Sequence, residues 1–301
     1  MKGYVLPALG NLPLAALRNR DLRGLQAELL KQISEKTAKP LSEKYVKNIL
    51  CGTFQAMIRQ AEVDGLVSCD PFKGLTWGRY EPPDADPFEA DERDAILEWF
   101  KGARFGVHAG RPSTVNRLVP HPPFHAYAHF LFWHGARPSE ASGLWWENVD
   151  LKRGLAHVRQ SYHLGQYGKP KTRQARRTIE LHPETVRLLR VLHPRHMEPK
   201  TPVFVNTAGT PIEPKNFSEH WYGCLRQLTF RQRGVYAMKD TFVTLALATG
   251  REDVMLWLVQ QTGVAYDTLR RHYAKWIPKP DRGMWQRLDP TLTDSPVKAV
   301  G

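Results

Sequence analysis

The stretch HGARPSEASGLWWENVD, residues 134–150, decides how the rest of the chain is read. Gly135 lets the backbone turn, Pro138 or Ser139 starts a helix, and Arg137 sits at the turn itself. A helix N-terminus presents unpaired N–H groups and the positive end of the helix dipole, so anions collect there. The planar fork of an arginine at that point can take two oxygens of one phosphate.

The surroundings are basic, on one side only. The chain has 301 residues and a formal net charge of +13. Residues 1–150 hold 18 Lys and Arg against 18 Asp and Glu, whereas residues 151–301 hold 25 against 12, so the whole excess lies in the second half. That distribution points to a polyanion partner, nucleic acid ahead of membrane. No apolar run approaches the ~20 residues of a membrane span, and the N-terminus shows no secretory pattern. An apolar fraction of 42% and a charged fraction of 24% exclude a disordered or fibrous chain. Cys51, Cys69 and Cys224 are too few and too scattered for a disulfide framework or a four-thiolate zinc site, and a reducing cytoplasm is expected.

At roughly 100–200 residues per domain, the length suggests two. Leu12, Leu14, Leu17, Leu22, Leu25, Leu29 and Ile33 suit two short helices. A cleaner helix follows Pro40, capped by Ser42, with Tyr45, Val46, Ile49, Leu50, Phe54, Met57, Ile58 and Ala61 as one apolar stripe and Gly65 as its end. Residues 1–80 are thus expected to form a helical domain. The acidic, Pro-rich stretch that follows gives a linker over 81–88, and its eight acids between Glu81 and Phe100 read as a solvated boundary that stays off nucleic acid. A second domain over 89–285 mixes helices with strands at Leu155–Gln160, Arg177–Leu181 and Val203–Asn206, and 286–301 reads as a tail. The fold class is α+β, mostly helical, with a small β-sheet.

Two more segments bear on chemistry. GKPKTRQARRTIEL, residues 168–181, joins two strand-like runs and carries Lys169, Lys171, Arg173, Arg176 and Arg177 with no acid between Lys169 and Arg177. A β-hairpin with a basic tip can lie along or into a groove of DNA; a solvated basic loop is the bland reading. YAMKDTFVTLAL, residues 236–247, is followed by TLRRHYAKWIP, residues 268–278, where Tyr273 sits among Arg270, Arg271, His272 and Lys275. That environment suits a phenol that must meet a phosphodiester. Most tryptophans (Trp145, Trp146, Trp221, Trp257, Trp285) read as core, with Trp276 the exception because it follows Tyr273.

The order of these segments resembles the tyrosine recombinases, the phage integrase family. VLPALGNLPL and VSCDPF resemble the two ends of that family's helical core-binding domain, DPFEADER the opening of its catalytic domain, and VFVNTAGTPI its mid-domain strand and loop. The resemblance implies that Arg137 is the first catalytic arginine, Lys171 the hairpin lysine and Tyr273 the nucleophile. It implies that the tyrosine attacks a DNA phosphodiester, leaving a 3′-phosphotyrosine and a free 5′-hydroxyl, without cofactor or metal. Where the family has His-x-x-Arg-His this chain has Tyr236, Lys239 and Asp240, so Lys239 stands for the second arginine and Tyr236 for the histidine. The family's next His or Trp falls on Gly263 or Val264, and His272 is the candidate substitute. Arg270 and Arg271, with Lys44 and Lys47 of the first domain, join the hairpin bases as expected DNA contacts. Implied partners are duplex DNA, gripped in a C-shaped clamp, three further copies of the chain in a homo-tetramer on DNA, and accessory DNA-bending or directionality factors. The implied setting is the bacterial nucleoid and the implied role is integration and excision of a mobile element. The alternative is a relative that binds DNA and cleaves poorly or only with a partner. The sequence opens almost at the core-binding pattern with no obvious arm-binding module, so a simpler recombinase or a shortened chain is expected.

His121, His125 and His129 recur every four residues, a spacing that aligns zinc ligands on a helix. Pro122-Pro123 puts His121 in a turn and no thiol or acid lies near, so a packed helix with polar edges is the expectation and a metalloenzyme the competing class.

Overall fold

The computed structural model describes residues 2–35, 38–78, 84–108, 115–169, 176–196, 198–251 and 253–277. The chain divides into two compact units, Met1–Pro83 and Asp84–Gly301.

The first unit is helical: α1 (Val5–Leu9), α2 (Asn19–Lys31), α3 (Glu43–Ile49) and α4 (Gln55–Val63). Leu22, Leu25 and Leu29 fall on one side of α2 and pack with Val46, Leu50, Phe54, Ile58 and Phe72. Ser42 caps α3 as expected, its Oγ accepting the Tyr45 N–H at 3.3 Å. The single long helix expected beyond it is divided. Leu50–Phe54 forms a widened turn in which Gly52 leaves helical geometry (φ −86°, ψ −120°), so α4 starts afresh at Gln55. The apolar stripe survives that offset, although its edges, Tyr45 and Met57, remain exposed. Side chains of α2 hold the segment after α4: Asn19 Nδ2 donates to the carbonyls of Pro71 and Lys73, and Gln26 Nε2 to that of Thr76.

The second unit contains α5 (Ala90–Gly102), a hairpin of β1 (Arg104–His108) and β2 (Val115–Pro120), α6 (Pro122–His134), α7 (Pro138–Ser142), β3 (Val149–Asp150), β4 (Leu155–Val158), β5 (Ser161–His163), β6 (Gln166–Gly168), β7 (Arg177–Glu180), α8 (Pro183–Leu192), α9 (Pro214–Gln227), α10 (Ala237–Ala248), α11 (Val254–Thr262) and α12 (Tyr266–Tyr273). Strands β3, β4 and β7 form an antiparallel sheet in that order, with Leu155 opposite Glu180 and Val158 opposite Arg177. Helix α6 is apolar nearly all round and runs through the core, burying Phe124, Tyr127, Phe130, Leu131 and Phe132 against Phe88, Phe204, Phe217 and Trp221. A smaller core joins Phe242, Val243 and Leu247 of α10 to Leu258 of α11 and to Leu269 and Tyr273 of α12. The mostly helical α+β class with small antiparallel sheets matches the expectation.

Three local expectations differ. The β1–β2 hairpin was not legible in the sequence. Val203–Asn206 forms no strand of its own: Trp145 bridges Pro202 and Val205 bridges Pro211, and two prolines without N–H groups stop either bridge from growing into a ladder. The acids between Glu81 and Phe100 are not simply solvated. Arg233, whose side chain is 8% exposed, pairs with Asp86 at 3.2 Å and Glu92 at 3.0 Å, and Lys275 reaches Asp84 at 2.8 Å.

Between β4 and β7 the chain makes an extra hairpin, β5–β6, closed by Leu164 and Gly165 at φ 51° and 73°. Both central residues of a type I′ turn need positive φ, which glycine adopts without penalty. The basic tip therefore follows β6. Lys169 and Arg176 are exposed at its ends, and Lys171 and Arg173 lie outside the described residues.

Candidate active site

The site is built from the end of α6 outward. Gly135 closes that helix with φ +56°, and a Cβ there would sit 2.6 Å from the Phe242 ring and 2.9 Å from Thr262. Only glycine permits both the left-handed turn and the approach of α10 and α11. Arg137 follows as the N-cap residue of α7. Tyr127, buried in α6, fixes α7 from below: its hydroxyl donates to the Pro138 carbonyl at 2.9 Å and meets Ser142 Oγ at 3.0 Å.

Glu140, three residues after Arg137, is the hub. Its side chain is 3% exposed and it takes Arg137 Nη1 on Oε1 at 2.6 Å and Arg177 Nη2 on Oε2 at 2.9 Å. Oε2 also accepts the Arg137 N–H at 3.0 Å. Burial alone would raise the carboxyl's pKa, but the charge and hydrogen bond of Arg177, with Lys239 and the Arg137 N–H, outweigh it and hold Glu140 below the usual range. Arg177 does not belong to the exposed tip where the sequence put it. It opens β7 with its side chain 6% exposed, and its Nε donates to the Gln261 carbonyl at 2.8 Å. The reason is the strand register, which points Arg177 at Glu140, where a buried acid needs a second cation.

Helix α11 ends on this cluster. The Gln261 side chain extends β7 like a short strand, accepting the Glu180 N–H at 3.0 Å and donating to the Glu180 carbonyl at 2.8 Å. The Thr262 carbonyl, at the negative end of the helix, accepts Lys239 Nζ at 3.0 Å. So the last two carbonyls of α11 each hold one cation. Lys239 is 7% exposed. Burial lowers its pKa to about 7, Glu140 and Asp240 oppose that fall, and Arg137 and Arg177 deepen it.

Next to Lys239 on α10, Asp240 accepts the Tyr273 hydroxyl at 2.6 Å. Tyr273 is 7% exposed and packs against Trp276, with ring centroids 6.0 Å apart. Burial, and then the Asp240 carboxylate, raise the phenol's pKa; burial raises that of Asp240.

Arg137 and Arg177 thus meet on Glu140, Lys239 is held by the Thr262 carbonyl next to the one that takes Arg177, and Tyr273 is held by Asp240, the residue after Lys239 on α10. Tyr236 stands at the edge, 58% exposed at the start of α10. His272 is exposed and makes no hydrogen bond to Tyr273, though its charge acts on Asp240. Arg270 and Arg271 are exposed on α12, as are Lys44 and Lys47 on α3, Lys47 standing 6.0 Å above the Trp77 ring. Of the three spaced histidines, His121 meets the Val205 carbonyl at 2.8 Å and His129 the Thr185 hydroxyl at 2.9 Å, on separate elements. Sequence reasoning missed Glu140, Gln261 and Asp240. The signals were present: an acid three residues after Arg137 fits a helix-start box, and Asp240 is the one acid in the mostly apolar α10, next to its one base.

Comparison with solved structures is decisive for the fold. The Tn1549 transposon integrase in complex with a circular intermediate DNA superposes with a TM-score of 0.65 over 93% of this chain and 88% of that one, at 16% identity. The chain has the fold of the tyrosine recombinases. A lambda integrase dimer bound to a COC′ core site gives a TM-score of 0.60 at 11% identity, covering 93% of this chain and 86% of that one. The XerH site-specific recombinase bound to difH gives 0.56 at 16% identity, covering 95% and 74%. No protein-family model matches this recombinase-fold chain. In sequence it is similar to the prophage integrase IntR of Escherichia coli (strain K12), 29% identical over 130 residues, which span 42% of this chain and only 26% of that relative.

Proposed function

We propose that the chain is a site-specific tyrosine recombinase that cuts and rejoins duplex DNA through a 3′-phosphotyrosine. The observation that carries this reading is that Arg137 on Glu140, Lys239 on the end of α11 and Tyr273 on Asp240, the residue after Lys239, are gathered on adjoining elements from distant parts of a chain with a net charge of +13. Integrases of the same fold have been seen with DNA, which supports duplex DNA as partner, and a lambda integrase tetramer bound to a Holliday junction supports a tetramer.

The proposed chemistry follows from charge. In the transition state the nonbridging phosphate oxygens carry the negative charge, and preorganised cations stabilise it with little covalent work. Arg137, 35% exposed at its side chain, offers the guanidinium face not engaged by Glu140. Lys239 adds a second cation; an arriving phosphate raises its pKa and fixes the proton on it. Arg177 is a positioning residue, acting through Glu140. Lys171 is proposed to protonate the leaving 5′-oxygen, and Lys169, Arg173, Arg176, Arg270, Arg271, Lys44 and Lys47 to contact the DNA backbone. Residues 1–80 are assigned to core binding and 89–285 to catalysis. A mobile element is the proposed setting, with accessory DNA-bending or directionality factors as further partners.

The test uses duplexes enriched for binding from a random-sequence pool, rebuilt with a nick so that a cleaved strand end is lost. A covalent protein–DNA band with the wild-type chain, absent in Tyr273→Phe while binding persists, is expected. A band retained in Tyr273→Phe refutes the nucleophile. Tight binding with no band in the wild type refutes cleavage and leaves a DNA-binding relative.

A further inference from the structure

A phenol that becomes a nucleophile must hand its proton to a particular atom. The acceptor that the structure gives Tyr273 Oη is Asp240 Oδ1, at 2.6 Å. That length lies in the range of a hydrogen bond between a hydroxyl and an ionised carboxylate. Asp240 follows Lys239 on α10, so the carboxylate and the cation lie on the same turn of the helix. Resting on the recombinase reading above, we propose that Asp240 is the general base of the reaction, taking the proton of Tyr273 as the phenol attacks the phosphodiester.

The step balances. The Oη–P bond forms while the Oη–H proton passes to Asp240. The bond from phosphorus to the 5′-oxygen breaks, its electron pair leaves with that oxygen, and the oxygen takes a proton from water. In rejoining, a 5′-hydroxyl attacks phosphorus and returns its proton to water, Tyr273 departs, and Asp240 gives back the proton it held. The role fits the neighbourhood. Tyr273 from α12 bonds the carboxylate, and the charges of Lys239 on the same helix, His272 from α12 and Asp86 from the segment before α5 act on it. Burial makes Asp240 a stronger base than an exposed aspartate, and a base works best when its pKa nears the working pH. A simple latch would need only a hydrogen-bond acceptor, which asparagine also supplies. A base needs the charge.

The experiment measures single-turnover formation of the covalent adduct on the nicked duplexes described above, from acid to mildly alkaline pH. It uses the wild type, Asp240→Asn and Asp240→Glu, with DNA binding measured alongside. The expected result is that Asp240→Asn binds DNA but forms adduct ~100-fold or more slowly and loses the acid limb of the rate profile, while Asp240→Glu restores part of both. Adduct formation by Asp240→Asn within about threefold of the wild type, or faster, overturns the proposal, because general-base catalysis is worth far more than that. A failure of Asp240→Glu to restore the acid limb also overturns it, even if the asparagine variant folds poorly. The wild type alone judges the recombinase reading: without an adduct there, that reading falls and Asp240 has no proton to take.

Discussion

Replacing Glu140 with glutamine removes one negative charge from a group whose side chain is 3% exposed and which faces two guanidinium groups, Arg137 at 2.6 Å and Arg177 at 2.9 Å. Arg137 is partly exposed and can turn to water. Arg177, 6% exposed, cannot, although it keeps its bond to the Gln261 carbonyl. Breaking a buried pair by removing one partner costs about 3–5 kcal/mol, because the remaining buried charge loses the carboxylate that offset it. For a unit of this size each kcal/mol shifts Tm by about 2–4 °C, so Glu140→Gln is expected to lower the melting temperature of the second unit by roughly 6–20 °C. Urea unfolding followed by near-ultraviolet circular dichroism gives the free energy directly. The double variant Glu140→Gln/Arg177→Met separates pair from carboxylate, since removing both charges should cost less than the sum of the single changes. A loss below about 1 kcal/mol for Glu140→Gln, the value of an exposed pair, or strict additivity in the cycle, refutes the idea of a buried hub.

Three further outcomes are expected. Lys239 releases its proton near pH 7 when folded, whereas an unfolded lysine holds it to about 10.4, so the unfolded chain carries more protons in that window and stability rises with pH across it, by up to about 1.4 kcal/mol per pH unit; the difference in unfolding free energy between wild type and Lys239→Met should show that slope, and a flat difference contradicts it. Gly135→Ala forces a Cβ to 2.6 Å from Phe242 at positive φ and should cost about 1–3 kcal/mol, with a change under 0.5 kcal/mol (roughly the scatter of neutral substitutions) counting against the close approach. Burial holds His134 down to about 3, so the unfolded chain binds the extra proton between about pH 6.5 and 3 and stability falls as pH drops through that range; His134→Gln should lessen the fall, and an unchanged acid profile argues against it.

The main helices were readable because their physics is local. Ser42 caps α3 by a bond three residues long, and the apolar run Phe124–Trp133 sits within α6. Arg137 was legible for the same reason, since a turn followed by Pro138 fixes its place at a helix start. What escaped depends on pairs distant in sequence. Arg177 looked like one more base in a basic loop, and only the pairing of β7 with β4 and the approach of α11 turn it toward Glu140. Asp240 read as a departure from a motif until α12 brought a hydroxyl to it across 33 positions of sequence. The division of the long helix at Gly52 escaped because the hydrophobic pattern continues across the offset.

An ammonium group has three hydrogens, and in Lys239 one is already spent on the Thr262 carbonyl. A guanidinium at this position would present a rigid plane and impose its own angle of approach. The lysine is instead moored by that one bond, which leaves its other hydrogens uncommitted to the carbonyl and fixes where the nitrogen sits. Aim that an arginine carries in its own shape is here lent by the terminus of a neighbouring helix, and shortening α11 by one residue would set the amine adrift without touching it.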